Sequence, residues 1–195
     1  HATYQDVADA HPESLAVDAA GTPSHPPNPP GLRLTCALGP YNFDFMTNVT
    51  REIVTLYDVG GVFSNRWTGN DMCYCEHCQE NFRSATGLEL PRTANPLDPA
   101  QRDFLVWEQE RLFELWRTWD AVIRKANPNA RFIANAGGGA LSSLDMKTIG
   151  ELAPTLFADR QGRNGVAPPW TNGKNGKEYR ATLGRKAIVG IFSVG

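Results

Sequence analysis

The chain has 195 residues, of which 41% are hydrophobic and 21% charged, and a formal net charge of -2. That composition belongs to a folded globular domain and excludes a disordered or collagen-like tract. No run of eighteen apolar residues offers a membrane span, and 19 basic against 21 acidic residues without a dense basic stretch leave no footprint for nucleic acid, so neither is an expected partner.

Residues 1–31 read as a loop-rich lead-in, because His11-Pro12, Gly21-Thr22-Pro23 and the proline-rich run from Ser24 to Pro30 remove backbone donors and restrict their neighbours. Residues 32–195 then alternate strand-like and helix-like segments. Arg33 to Leu38 is a β-compatible run closed by Gly39-Pro40, and behind it Phe45, Val49, Ile53 and Leu56 recur at helical spacing. Val59 to Ser64 reads as a buried strand, followed by a loop that holds three cysteines and then Pro91, Pro96 and Pro99.

Gln101 to Ala126 is the clearest helix: Leu105, Leu112, Trp116, Trp119 and Ile123 share one stripe, and Asn127-Pro128 ends it. Arg131 to Ala136 predicts a strand and Leu144 to Leu152 a short helix. Thr155 to Ala158 and Ala187 to Ser193 are two further strands. The alternation predicts an α/β fold with a parallel sheet flanked by helices, either doubly wound or part of a (β/α)8 TIM barrel. Neither GxGxxG nor GxxxxGK[ST] is present in the right place, so dinucleotide and P-loop versions lack support. The polar start and strand-like end suggest a piece of a longer protein, which leaves localisation open.

In parallel α/β folds the functional groups collect beyond the carboxyl ends of the strands. Those places hold Tyr41 and Asn42, then Asn65, Arg66 and Trp67, then Asn135, then Asp159, Arg160 and Gln161, then Ser193. Amides and guanidinium groups hydrogen-bond hydroxyls, and aromatic faces stack on sugar rings. The expected partner is therefore a carbohydrate, held by Tyr41, Asn65, Arg66, Trp67, Asn135 and Gln161. Trp170 offers a further stacking face, whereas Trp107, Trp116 and Trp119 suit the core side of the long helix. The sequon Asn48-Val49-Thr50 falls inside a predicted helix and reads as coincidence.

Cys36, Cys73, Cys75 and Cys78 crowd three thiols into six residues, with the fourth at the end of the preceding strand. Four thiolates suit a closed tetrahedral zinc site, which is structural because no position stays open. Disulfides are the alternative for an even count, disfavoured by the tight spacing of Cys73 and Cys75. His77 is a possible replacement ligand.

The run Leu34 to Tyr41, the stretch GGVFSNRW from Gly60 to Trp67 and the stretch Cys73 to Arg83 together resemble glycoside hydrolase family 42 β-galactosidases and the related hypothetical glycosyl hydrolases. The resemblance implies strands three to seven of a (β/α)8 barrel and a four-cysteine zinc between the loops after strands three and four. It also implies a catalytic Glu after the Asn that ends strand four, where this chain has Asn65-Arg66, and a nucleophilic Glu at the end of strand seven, where it has Phe192 to Gly195 without a carboxylate. Arg66 cannot act as a proton donor near neutral pH. Asp159, at a strand end, is the remaining catalytic candidate, with a salt bridge to Arg160 or Arg163 as its plainer role.

The expected activity is O-glycosyl hydrolysis on a β-galactosidase-like barrel. The alternatives are a sugar-binding barrel without catalysis and a zinc-stapled interaction module. Unpaired sheet edges make a homo-oligomer an expected assembly.

Overall fold

In the computed structural model, order begins earlier in the chain than its prolines suggest. The structure describes residues 2–25, 31–69, 72–93, 95–135, 143–153, 155–159, 168, 170–184 and 188–192. They divide into two compact units, residues 1–58 with 66–126 and residues 59–65 with 127–195.

In the first unit the expected loop-rich lead-in is structured. Strand β1 (Ala2–Tyr4) leads into helix α1 (Gln5–Ala10) and a 3-10 turn (Pro12–Ser14). Pro12 opens that turn, where a missing N–H costs nothing. β1 pairs antiparallel with β2 (Leu32–Leu34), and the next stretch continues the pairing: Ala16 N–H donates to the Leu34 carbonyl and Cys36 N–H to that of Ser14, each at 2.9 Å. The Arg33 to Leu38 run is thus a short antiparallel strand, corrected from a parallel one. Its backbone groups are taken by the chain that precedes it.

A π-helix (Tyr41–Met46) runs directly into helix α2 (Thr47–Leu56). The buried positions are Asn42, Thr47, Thr50 and Val54, while Phe45 and Leu56 from the expected apolar stripe are 54% and 63% exposed. The wider π turn shifts the face that meets helix α4 (Pro99–Ala126), and short threonines permit close approach there. The long helix α4 answers its periodicity. It buries Phe104, Trp107, Leu112, Phe113, Leu115, Trp116, Trp119 and Ile123, although Leu105 turns outward. Helix α3 (Glu76–Thr86) lies where a loop was expected; Phe82 packs on Phe104 and Trp107, and Gly87, at φ 74, closes its end in the left-handed conformation glycine adopts without strain.

The second unit carries the parallel strands. β3 (Gly61–Ser64) pairs in register with β4 (Arg131–Ala134), and β5 (Thr155–Asp159) with β6 (Ile188–Phe192). A parallel bridge from Asn135 to Phe157 joins the two pairs, so the order is sequential, β3-β4-β5-β6. Helices α5 (Met146–Leu152) and α6 (Thr171–Leu183) follow β4 and β5; α6, with two glycines in its first half, has no clear signal in the sequence. Phe132, Ile149, Leu156 and Tyr179 are among the fully enclosed side chains of this unit. The result is a mixed α/β fold with small antiparallel and parallel sheets. No described helix is long and apolar enough to cross a membrane.

Candidate metal centre

The four cysteines meet although they are separated by up to 42 positions. Cys36 follows β2, Cys73 lies in the loop ahead of α3, Cys75 is the residue that caps α3, and Cys78 sits in its first turn. All four are free and buried, and their sulfurs lie within 4.8 Å of one another. Cys36 Sγ is 3.4 Å from Cys78 Sγ and 3.6 Å from Cys75 Sγ. A tetrahedral zinc with bonds of about 2.3 Å would set sulfurs about 3.8 Å apart, so the cage has the right size for one ion. The alternative of disulfides is not realised, and His77 is not part of the cluster.

The sulfurs perturb one another. Interaction with Cys36 is the chief cause that lowers the thiols of Cys73 and Cys75 below the ordinary thiol range. Cys36 itself is pushed up, chiefly by Cys73, and Cys78 is pushed up chiefly by Cys36. Four thiols this close cannot all ionise without mutual repulsion, which a divalent ion among them would remove. Backbone donors already face one sulfur: the N–H groups of Val17 and Cys75 each point to Cys73 Sγ at 3.5 Å. The N-terminus of α3 adds its positive dipole end beside Cys75 and Cys78. The loop is fixed by Tyr74, whose N–H donates to the Val17 carbonyl at 2.9 Å and whose hydroxyl donates to that of Pro91 at 2.5 Å. Glu108 of α4 lines a cavity of about 40 Å³ with Cys36, Cys73 and Cys78, and burial pushes its carboxyl up.

The strand-end residues fall into different settings. Asn65 and Asn135 are brought together: at the carboxyl ends of β3 and β4 the Asn135 amide Nδ2 donates to Asn65 Oδ1 at 3.0 Å. Asp159 closes β5 opposite Phe192, while Arg160, Gln161 and Ser193 lie outside the described residues. Arg66 is exposed at φ 49, the one described non-glycine residue in the left-handed region. Trp67 corrects its expected role as a stacking face: it is 0% exposed, edge-on to Trp116 with ring centroids 5.4 Å apart, and both faces are spent on protein. Trp170, by contrast, is 64% exposed at the start of α6. Tyr41 stands beside Phe45 on the π-helix, at a cleft formed with the N-terminal segment.

Buried Asn42 does more than mark a strand end. Its Nδ2 donates to the carbonyls of Ala37, at 2.9 Å, and Trp67, at 3.5 Å, while its own carbonyl accepts from Thr47 Oγ1 and Trp119 Nε1. This one residue therefore pins the loop after Cys36 and the loop bearing Arg66 through its side chain, and the start of α2 through its backbone carbonyl. Its signal in the sequence is a polar residue two positions after Gly39-Pro40, among the strand-end groups.

No protein-family model and no curated protein matches the chain. Solved structures do match. The chain folds like a segment of bacterial β-galactosidases. The crystal structure of β-galactosidase from Bacillus circulans sp. alkalophilus superposes with a TM-score of 0.67 at 13% identity, over 91% of this chain and 31% of that one. The β-galactosidase from the psychrophilic Marinomonas ef1 superposes with a TM-score of 0.67 at 14% identity, over 92% and 35%. The chain spans about a third of the length of these β-galactosidases.

Proposed function

We propose that the chain is part of a glycoside hydrolase-like (β/α)8 barrel that acts on or binds a carbohydrate, with a zinc ion held by Cys36, Cys73, Cys75 and Cys78. The observation that carries the reading is the β-galactosidase-like fold over nine-tenths of the chain. The sequential parallel order β3-β4-β5-β6 supports a barrel, since a doubly wound sheet reverses its order at a switch point. The four-sulfur set is closed, so zinc there would supply cross-linking and no open position for substrate.

For the sugar, the exposed Asn65–Asn135 pair at adjacent strand ends offers amide donors and acceptors to ring hydroxyls. Hydrolysis needs two carboxyl groups, about 5–5.5 Å apart for retention and about 6.5–9.5 Å for inversion. Asp159, at the carboxyl end of β5, is this chain's candidate for one of them. The test is turnover of aryl glycosides, beginning with 4-nitrophenyl β-D-galactopyranoside, by the full-length protein. Asp159→Asn should lower it at least about a hundredfold while metal content stays constant. Equal turnover by both forms would strike Asp159 from the reaction.

Arg66 favours a second reading, a barrel that binds sugar without cleaving it, because an arginine stands where the resemblance implies the acid. Saturable sugar binding with no turnover across a broad glycoside panel would select it.

A further inference from the structure

A cleft of about 230 Å³ in the first unit is lined by α1 and the following turn on one side and by the π-helix on the other. We propose that it binds a small organic cation, an ammonium group carried on an apolar body. The inference stands independently of the carbohydrate reading.

The sequence builds the cleft from two facing helical stripes. Val7 and His11 are four apart on α1 and its capping residue, and Tyr41 and Phe45 are four apart on the π-helix, their ring centroids 5.5 Å from each other. π turns recur at functional sites because the widened backbone redirects side chains. Here the redirection leaves Phe45 54% exposed at the cleft instead of buried in the core, and Val7 of α1, 39% exposed, lines the same cleft.

Charge decides the class of ligand. Neither lysine nor arginine lines the cleft, whereas two carboxylates, Glu13 and Asp44, do. Glu13 is engaged: its Oε1 lies 3.1 Å from His11 Nδ1, and its carboxyl is held below the ordinary range by its own backbone and then by His11. Asp44 makes no ion pair among the described residues. An aromatic pair presents negative ring faces, which attract a cation alongside the carboxylate and repel an anion. The volume lies below the roughly 300 Å³ at which pockets for drug-sized ligands begin, so the ligand is small.

The test is titration of the isotopically labelled full chain with benzylammonium, followed by amide chemical shifts, with benzyl alcohol and benzoate as the neutral and anionic isosteres. Saturable shifts confined to residues 7–13 and 41–46 are expected, with benzylammonium binding about tenfold more tightly than benzyl alcohol and benzoate not at all. Asp44→Asn and Phe45→Ala should each weaken benzylammonium about tenfold; both residues are exposed, so the fold should persist, and dispersed amide spectra check this. Equal binding of the alcohol, wild-type affinity in both variants, shifts elsewhere or no saturation would overturn the proposal. Methyl β-D-galactopyranoside shifting these residues more strongly than benzylammonium would also overturn it, in favour of a sugar subsite.

Discussion

Replacing Cys78 by serine probes the proposed zinc centre most directly. Cys78 is 1% exposed and its sulfur lies 3.4 Å from Cys36 Sγ, so the substitution removes one corner of a cage that joins the loop after β2 to helix α3. A serine hydroxyl is a far poorer zinc ligand than a thiolate, and affinity should fall at least a hundredfold, the scale of roughly 2.7 kcal/mol. At zinc a hundredfold above the wild-type dissociation constant, the bound ion stabilises the fold by about 2.7 kcal/mol. In a chain of this length that corresponds to a melting shift of about 5–10 °C. Most of that shift should vanish in Cys78→Ser.

Metal content by mass spectrometry, competition against a chromophoric chelator and melting with and without zinc read these quantities separately. Cys36→Ser, on the other side of the cage, should match Cys78→Ser, whereas His77→Ala should keep full stoichiometry because His77 is outside the cluster. Gly39→Ala should also weaken zinc, since its methyl would sit 3.3 Å from Cys36 Sγ. Stoichiometric zinc at undiminished affinity in Cys78→Ser would refute the ligand set.

Three further outcomes test the packing within each unit. Gly150→Ala should cost about 3 kcal/mol, because the new Cβ would meet the Leu183 carbonyl oxygen at 2.0 Å and force α5 from α6; an unchanged denaturation midpoint would disprove that contact. Trp119→Phe should cost about 2 kcal/mol, since it removes the indole donor to Thr47 Oγ1, 2.9 Å away, and leaves a void, as measured by urea unfolding. Asp145→Ala should cost about 1 kcal/mol by removing the cap that accepts from Lys147 N–H at 3.0 Å. The Thr148 hydroxyl holds the Asp145 carboxyl below its ordinary range, so its contribution is complete above the unfolded-state value and lost as pH falls through the folded one. The gap between wild type and Asp145→Ala should therefore close in acid.

Local pattern determined the elements whose signals are strong and near in sequence. The tryptophan and leucine spacing of 101–126 specifies α4, and short apolar runs specify β3 to β6, because periodicity alone reports which face a segment buries. The cysteine spacing likewise pointed to one cluster, since thiols crowded within six residues have few other uses. Tertiary structure decided the rest. Arg33 and its neighbours became an antiparallel strand because the preceding segment supplied their hydrogen-bond partners, a long-range choice no local propensity encodes. Phe45 left the core because a π turn rotated the face of the following helix, and Trp67 entered it because Trp116, far along the chain, offers an edge. The amides of Asn65 and Asn135 show both halves: each could be read as a strand-end polar group, but only parallel pairing of β3 with β4 puts one within hydrogen-bond reach of the other.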